Sequence, residues 1–163
     1  MKFIIVLLVV LTGLNHLSTA EEITGKVVSV IDGNTIQIES KERGLQKILL
    51  AGIDCPEIEQ DFGAQAKTFL EKLVLEKNVL VELKGKDRFG NHLGVVMVNE
   101  DDDIRVKLLK AGLAWTIEKN PDAGLEGYRQ WAQQKGKGLW KDPAPIAPWT
   151  FRRKQTMAQP KSS

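Results

Sequence analysis

The chain has 163 residues, 42% of them hydrophobic and 27% charged, a globular balance that excludes collagen-like, coiled-coil and disordered classes and suffices for one domain with its own core. Its single cysteine, Cys55, excludes an internal disulfide framework and any multi-cysteine zinc site. A net charge of +2 excludes recognition of a polyanion by bulk charge, so any such site has to be built locally.

The first twenty residues read as a cleavable secretory signal. Lys2 precedes the apolar run Phe3 to Leu11, and Leu17-Ser18-Thr19-Ala20 places small residues before a cut after Ala20. The alternative, an N-terminal anchor, needs about 20 apolar residues, more than this run supplies. The expected product is periplasmic or secreted, with no stable membrane insertion once the leader is gone. His16 leaves with it, so His92 is the one histidine remaining, and histidine metal clusters and two-histidine catalysis are excluded. Residues 21–153 are expected to form the domain and residues 154–163 a flexible basic tail.

From Gly25, Lys26 to Ile31 and Thr35 to Glu39 are β-rich runs joined by Asp32-Gly33-Asn34, a hairpin pattern. A third run, Lys47 to Ile53, is stopped by Pro56. Ala66, Phe69, Leu70 and Leu73 share one face of a helix expected over about 64–75. Val79 to Leu83 and Leu93 to Val98 are two more strands, separated by a polar loop from Lys84 to Asn91. Asp103 is placed to cap a second helix carrying Val106, Leu109 and Leu113, with Gly112 weakening or ending it. A third helix runs from about Leu125 through Tyr128 and Trp131 toward Lys135, where Gly136 and Gly138 stop it. Five strands interleaved with three helices indicate an α+β domain around a small closed or half-closed sheet.

The strings Val30-Ile31-Asp32-Gly33-Asn34-Thr35, Leu50-Ala51-Gly52-Ile53-Asp54-Cys55-Pro56-Glu57 and Asp87-Arg88-Phe89-Gly90, in that order and spacing, resemble the staphylococcal nuclease-like, or thermonuclease, family. The likeness continues through Lys107 to Ala114, Gly138-Leu139-Trp140 and Pro148 to Arg153. It implies a five-stranded OB-type barrel with three packed helices, acting as a monomer. It also implies calcium-assisted hydrolysis of phosphodiester bonds in DNA and RNA. In that chemistry a metal ion held by carboxylates polarises the phosphate, a glutamate activates water, and two arginines clamp the phosphate oxygens.

Carried over by position, the resemblance makes Asp54 a metal ligand and Glu57 the residue that activates water. Alone, Asp54 reads equally as a turn residue and Glu57 as a loop charge. The second metal-ligand carboxylate falls on Asn34, which brings an oxygen but no charge, so calcium binding is expected to be weak or lost. Cys55 supplies the metal site only a backbone carbonyl; as a side chain it is expected to be a buried thiol. Both clamp positions are substituted, by Leu49 and Asn91. Lys47, Arg88 and His92 are the candidate replacements, against the alternative of solvated loop charges. Asp32 reads as a turn residue, the acidic run Glu100 to Asp103 as a solvated charge cluster at a helix start, and Trp115, Trp131, Trp140 and Trp149 as packing residues. The tail Trp149-Thr150-Phe151-Arg152-Arg153-Lys154 reads as a docking or solvated end, or as a track for a polyanion.

Three functions remain: an exported, catalytically impaired nuclease-like domain that retains single-stranded DNA or RNA binding; an active calcium-dependent endonuclease using Glu57 with a relocated basic clamp; and a partner-binding domain that touches no nucleic acid.

Overall fold

The computed structural model describes residues 21–99 and 102–158. The expected signal segment, Glu100 and Asp101 of the acidic run, and the last five residues of the expected tail lie outside the described residues.

Two long strands open the domain, β1 (Glu22–Asp32) and β2 (Thr35–Ser40), followed by β3 (Gly44–Leu50) and the two-residue β4 (Ile53–Asp54). Helix α1 (Gly63–Val74) leads to β5 (Asn78–Lys86) and β6 (His92–Met97), then α2 (Ile104–Ala111), β7 (Trp115–Thr116) and α3 (Ala123–Gln134). A 3₁₀ turn at Gly138–Lys141 and α4 (Pro148–Ala158) complete it. Five strands close a barrel in the order β1-β2-β3-β6-β5, with β3 and β6 parallel and the other pairs antiparallel, while β4 and β7 form a separate two-stranded ribbon. The α+β barrel expected from the sequence is therefore present, with four helices in place of three.

Period-two alternation points Ile36, Ile38, Ile48, Leu50, Val79 and Val81 into the barrel, where they meet Ala66, Leu70 and Val74 of α1 and Ile104, Leu108 and Leu109 of α2. Truncating one of these to alanine costs about 2–5 kcal/mol. Asp103 caps α2 by accepting from the Arg105 backbone N–H (2.9 Å), and Gly112 ends it in the left-handed region (φ 69°).

Four departures have physical reasons. The expected strand from Lys47 to Ile53 breaks after Leu50, because Gly52 takes a left-handed conformation (φ 79°) that turns the chain out of the barrel. The ribbon strand β7 has no period of its own and exists only through its pairing with β4. Trp131 is 43% exposed, because α3 buries Leu125 and Ala132 rather than its aromatic positions. Helix α4 crosses the expected boundary at Arg153 and continues to Ala158, held by contacts distant in sequence.

Candidate active site

The turn out of β3 delivers the Ile53-to-Glu57 string to one side of the barrel mouth. Asp54 pairs in the ribbon with Trp115. Cys55 is buried, its Sγ donating to the Gly33 carbonyl (3.2 Å). Gly33 is required there: a Cβ would lie 2.7 Å from Cys55 Cβ and 2.8 Å from Ala66 Cβ. This seats the β1–β2 turn against the string. Within that turn Asn34 donates its N–H to Asp32 Oδ1 (2.9 Å) and accepts from the Leu50 N–H through its carbonyl (2.8 Å). The backbone therefore absorbs Asp32 as the turn residue its Asp-Gly sequence implies.

Glu57 opens a tight turn onto α1. Its N–H donates to Gln60 Oε1 (2.9 Å), its carbonyl accepts from the Gln60 N–H (2.9 Å), and the Gln60 carbonyl accepts from the Gly63 N–H (3.0 Å). Gln60 also donates through Nε2 to the Ile146 carbonyl (3.0 Å), tying this turn to the chain entering α4.

Helix α4 brings an arginine to both carboxylates. Arg152 Nη2 donates to Asp54 Oδ2 (2.6 Å), and Nη1 donates to Asp54 Oδ1 (3.2 Å) and Glu57 Oε1 (2.6 Å). One planar fork thus spans two acids, a geometry lysine cannot reproduce. Asp54 is 16% exposed and Glu57 34%, so the inner acid is the one desolvated. Burial pushes the Asp54 carboxyl above its ordinary value, with Arg152 pulling against it and Glu57 and Asp32 adding to the rise. The two carboxylates hold Arg152 above the usual arginine range. Burial pushes the Cys55 thiol well up, which makes it a packed, unreactive group.

Leu49 and Asn91, the positions at which the resemblance expects clamps, stand on β3 and in the loop before β6. Leu49 lies on β3 opposite Thr35 and Leu93, with Lys47 two residues earlier on the same outer face. Asn91 closes the 87–91 loop, its Nδ2 and N–H both donating to Asp87 (2.9 Å each). These bonds hold the Asp87 carboxyl below its usual range, and Lys47 lies near enough to add to the effect. His92 is paired in the sheet between Ile48 and Lys86. Arg88 stacks on Phe89 (4.6 Å to the ring centroid) and lines a groove of about 530 Å³ with Trp149, Arg152 and Arg153. Of the three replacement candidates, Arg88 is the one that shares a groove with the guanidinium on the carboxylates.

The donor set does not fit the calcium ion that the resemblance implies. Both oxygens of Asp54 and one of Glu57 are engaged by Arg152, Asn34 is neutral, and among the described residues no three acidic, histidine or cysteine side chains are grouped to hold a metal.

In the sequence Arg152 belongs to the basic-aromatic tail, and nothing local links it to Asp54. The available signal was Pro148-Trp149 followed by Arg152: a helix-opening proline, then an aromatic and an arginine three residues apart on one face. Trp149 packs edge-on against Trp115 (5.7 Å), and Trp115 is the strand partner of Asp54.

The sequence model of the family described as "Staphylococcal nuclease homologue" matches residues 47–142, a span that includes Asp54 and Glu57 and stops short of α4. An Escherichia coli O157:H7 protein named an uncharacterized endonuclease is 35% identical over 135 residues, 82% of this chain and 88% of its own. A Haemophilus influenzae protein of the same name is 38% identical over 150 residues, 91% of this chain and 83% of its own. A Shigella flexneri protein named micrococcal nuclease is 34% identical over 140 residues, 79% of this chain and 80% of its own.

Proposed function

The chain belongs to the staphylococcal nuclease family, and on that premise we propose that it is an exported protein that binds the phosphodiester backbone of single-stranded DNA or RNA and hydrolyses it poorly or not at all. Export rests on the leader pattern from Lys2 to Ala20. Nucleic acid as the ligand class rests on the family and on the relatives named as endonucleases and micrococcal nuclease.

The observation that carries impairment is the state of the guanidinium that reaches Asp54 and Glu57: Arg152 is bonded to both acids. A phosphate clamp has to keep its donors aimed at the oxygens where charge develops. Leu49 and Asn91 offer no cation at the family's clamp positions, and Arg152 has to surrender an ion pair before it can serve as one. Losing one such donor costs about 10²–10³ in rate. Arg88, whose guanidinium lies on the Phe89 ring rather than on a carboxylate, leaves a groove edge able to track phosphates, so weak, salt-sensitive binding is retained.

A second reading, an active endonuclease, is favoured by the groove that Arg88 shares with Arg152, since Arg152 also reaches an intact, partly open Glu57. The separating experiment incubates the purified chain from Glu21 to Ser163 with labelled single-stranded DNA and RNA, with calcium, with chelator, and with Glu57→Gln. The expected result is binding that weakens steeply with salt and cleavage no faster than in chelator. Calcium-dependent cleavage that disappears in Glu57→Gln establishes the second reading, and the absence of any salt-dependent binding establishes a partner-binding domain.

A further inference from the structure

From this site we propose that the Arg152 guanidinium is the resident cation of the Asp54–Glu57 pair, so that α4 closes these carboxylates to divalent ions and a divalent ion enters only by displacing the arginine. The proposal deepens the reading above and rests on it in taking Asp54 and Glu57 as the family's site carboxylates.

Three features of the geometry carry it. First, the contacts are those of an occupied site. Three hydrogen bonds of 2.6, 2.6 and 3.2 Å run from one guanidinium to two acids, committing both oxygens of Asp54. Calcium needs six to eight oxygen ligands at about 2.3–2.6 Å, and it has to draw them from the same atoms. A dication added with Arg152 in place would set two positive groups in contact around a carboxylate pair that carries two negative charges at most.

Second, the arginine is delivered by a docked helix rather than a wandering side chain. Trp149, one turn earlier, packs on Trp115, whose strand partner is Asp54, and Trp115 also packs on Trp140 (4.5 Å). Arg153, on the other side, donates from Nη1 to both Glu118 oxygens (3.1 Å each). Gln60 fixes the approach to α4 at Ile146. The helix is therefore held on both sides of Arg152, and the guanidinium loses little additional freedom on pairing.

Third, the charge at position 34 is already gone. One guanidinium leaves the two carboxylates a single charge short of neutral, a deficit that a third carboxylate at position 34 would double in favour of a dication, whereas Asn34 adds no charge.

Because arginine and metal compete for the same oxygens, removing one strengthens the other. The test measures calcium affinity directly by isothermal titration on the chain from Glu21 to Ser163, with no substrate present. Wild type is expected to bind calcium no tighter than millimolar. Arg152→Gln is expected to bind it about 10- to 100-fold tighter, and adding Glu57→Gln to that variant should abolish the gain. Circular dichroism and the unfolding midpoint establish that each variant is folded. If Arg152→Gln does not fold, Arg152→Lys serves: an ammonium cannot span both acids, so affinity should rise severalfold.

Equal calcium affinity in wild type and the folded Arg152 variant overturns the proposal, as does submillimolar calcium binding by wild type. Oligonucleotide cleavage by wild type bears on the functional reading alone, whereas these titrations bear on the arginine alone.

Discussion

Two glycine-to-alanine substitutions in helices should move stability in opposite directions, and the reason lies in what each missing Cβ would touch. At Gly63, the first residue of α1, a Cβ would lie 1.9 Å from the Glu57 carbonyl oxygen, 2.7 Å from its carbon and 2.9 Å from Ile58 Cα. All three are backbone atoms, so relief requires the turn that carries Glu57 to lift off α1. Overpacking of this kind costs about 1–3 kcal/mol, and the broken Gln60–Gly63 turn places Gly63→Ala at the upper end, about 3 kcal/mol. At Gly127, within α3, a Cβ meets nothing within 4 Å, so Gly127→Ala gains helix propensity and loses unfolded-state freedom. The gain is about 0.5–1 kcal/mol. Urea unfolding at neutral pH, followed by tryptophan emission, gives both values from shifts in midpoint at constant slope. Gly63→Ala should also loosen the Glu57–Arg152 pair, since the turn that moves carries Glu57. A Gly63→Ala protein as stable as wild type, or two shifts of the same sign, would refute the close approach on which the placement of Glu57 depends.

Glu126 on α3 accepts from Arg129 and from the Thr116 hydroxyl (2.6 Å), and chiefly through Arg129 its carboxyl is lowered from 4.5 to about 2. A depressed carboxylate stabilises above its unfolded value and loses that contribution as pH falls. Stability should therefore drop by about 2–3 kcal/mol between pH 4.5 and 2, and Glu126→Gln should flatten that part of the profile in acid titrations of the unfolding free energy. Trp149→Ala removes the edge-on contact with Trp115 and should cost about 1–2 kcal/mol, while trypsin cleavage at Arg152 and Arg153 accelerates; an unchanged digestion pattern would show that the tryptophan does not hold α4. The Cys55 thiol should react with a disulfide reagent only at the rate of unfolding, and rapid labelling of the native protein would contradict its burial against Gly33.

Much of the barrel is legible because its strands alternate: Ile36, Ile38, Ile48 and Leu50 announce an inner face by period two, and Asp103 and Gly112 mark the ends of α2 by the chemistry of their caps. What local pattern does not contain is pairing at a distance. The ribbon of Asp54 with Trp115 and the seating of Trp149 on Trp115 span gaps of tens of residues, and neither leaves a period in the chain. The same holds for the site. Asp54, Glu57, Leu49 and Asn91 are legible as positions of the family resemblance, since they stand within short strings at fixed spacing. Arg152 stands 98 residues beyond Asp54 and outside the matched span of 47–142, so only the fold brings it to the carboxylates. Arg88 stands in the sequence as a flanking loop base; its place in the groove with Arg152 follows from α4, which has no clear periodic signal in the chain.

The proposed impairment has two sources, the missing cations and charge at positions 49, 91 and 34, and the Arg152 guanidinium seated on Asp54 and Glu57. Single-turnover cleavage of a labelled single-stranded oligonucleotide in calcium, by wild type and by the combined Asn34→Asp, Leu49→Arg, Asn91→Arg and Arg152→Gln variant, measures both together. The restored variant should be faster by at least about 10³; a wild-type rate within about tenfold of the restored variant's would contradict this origin of the impairment.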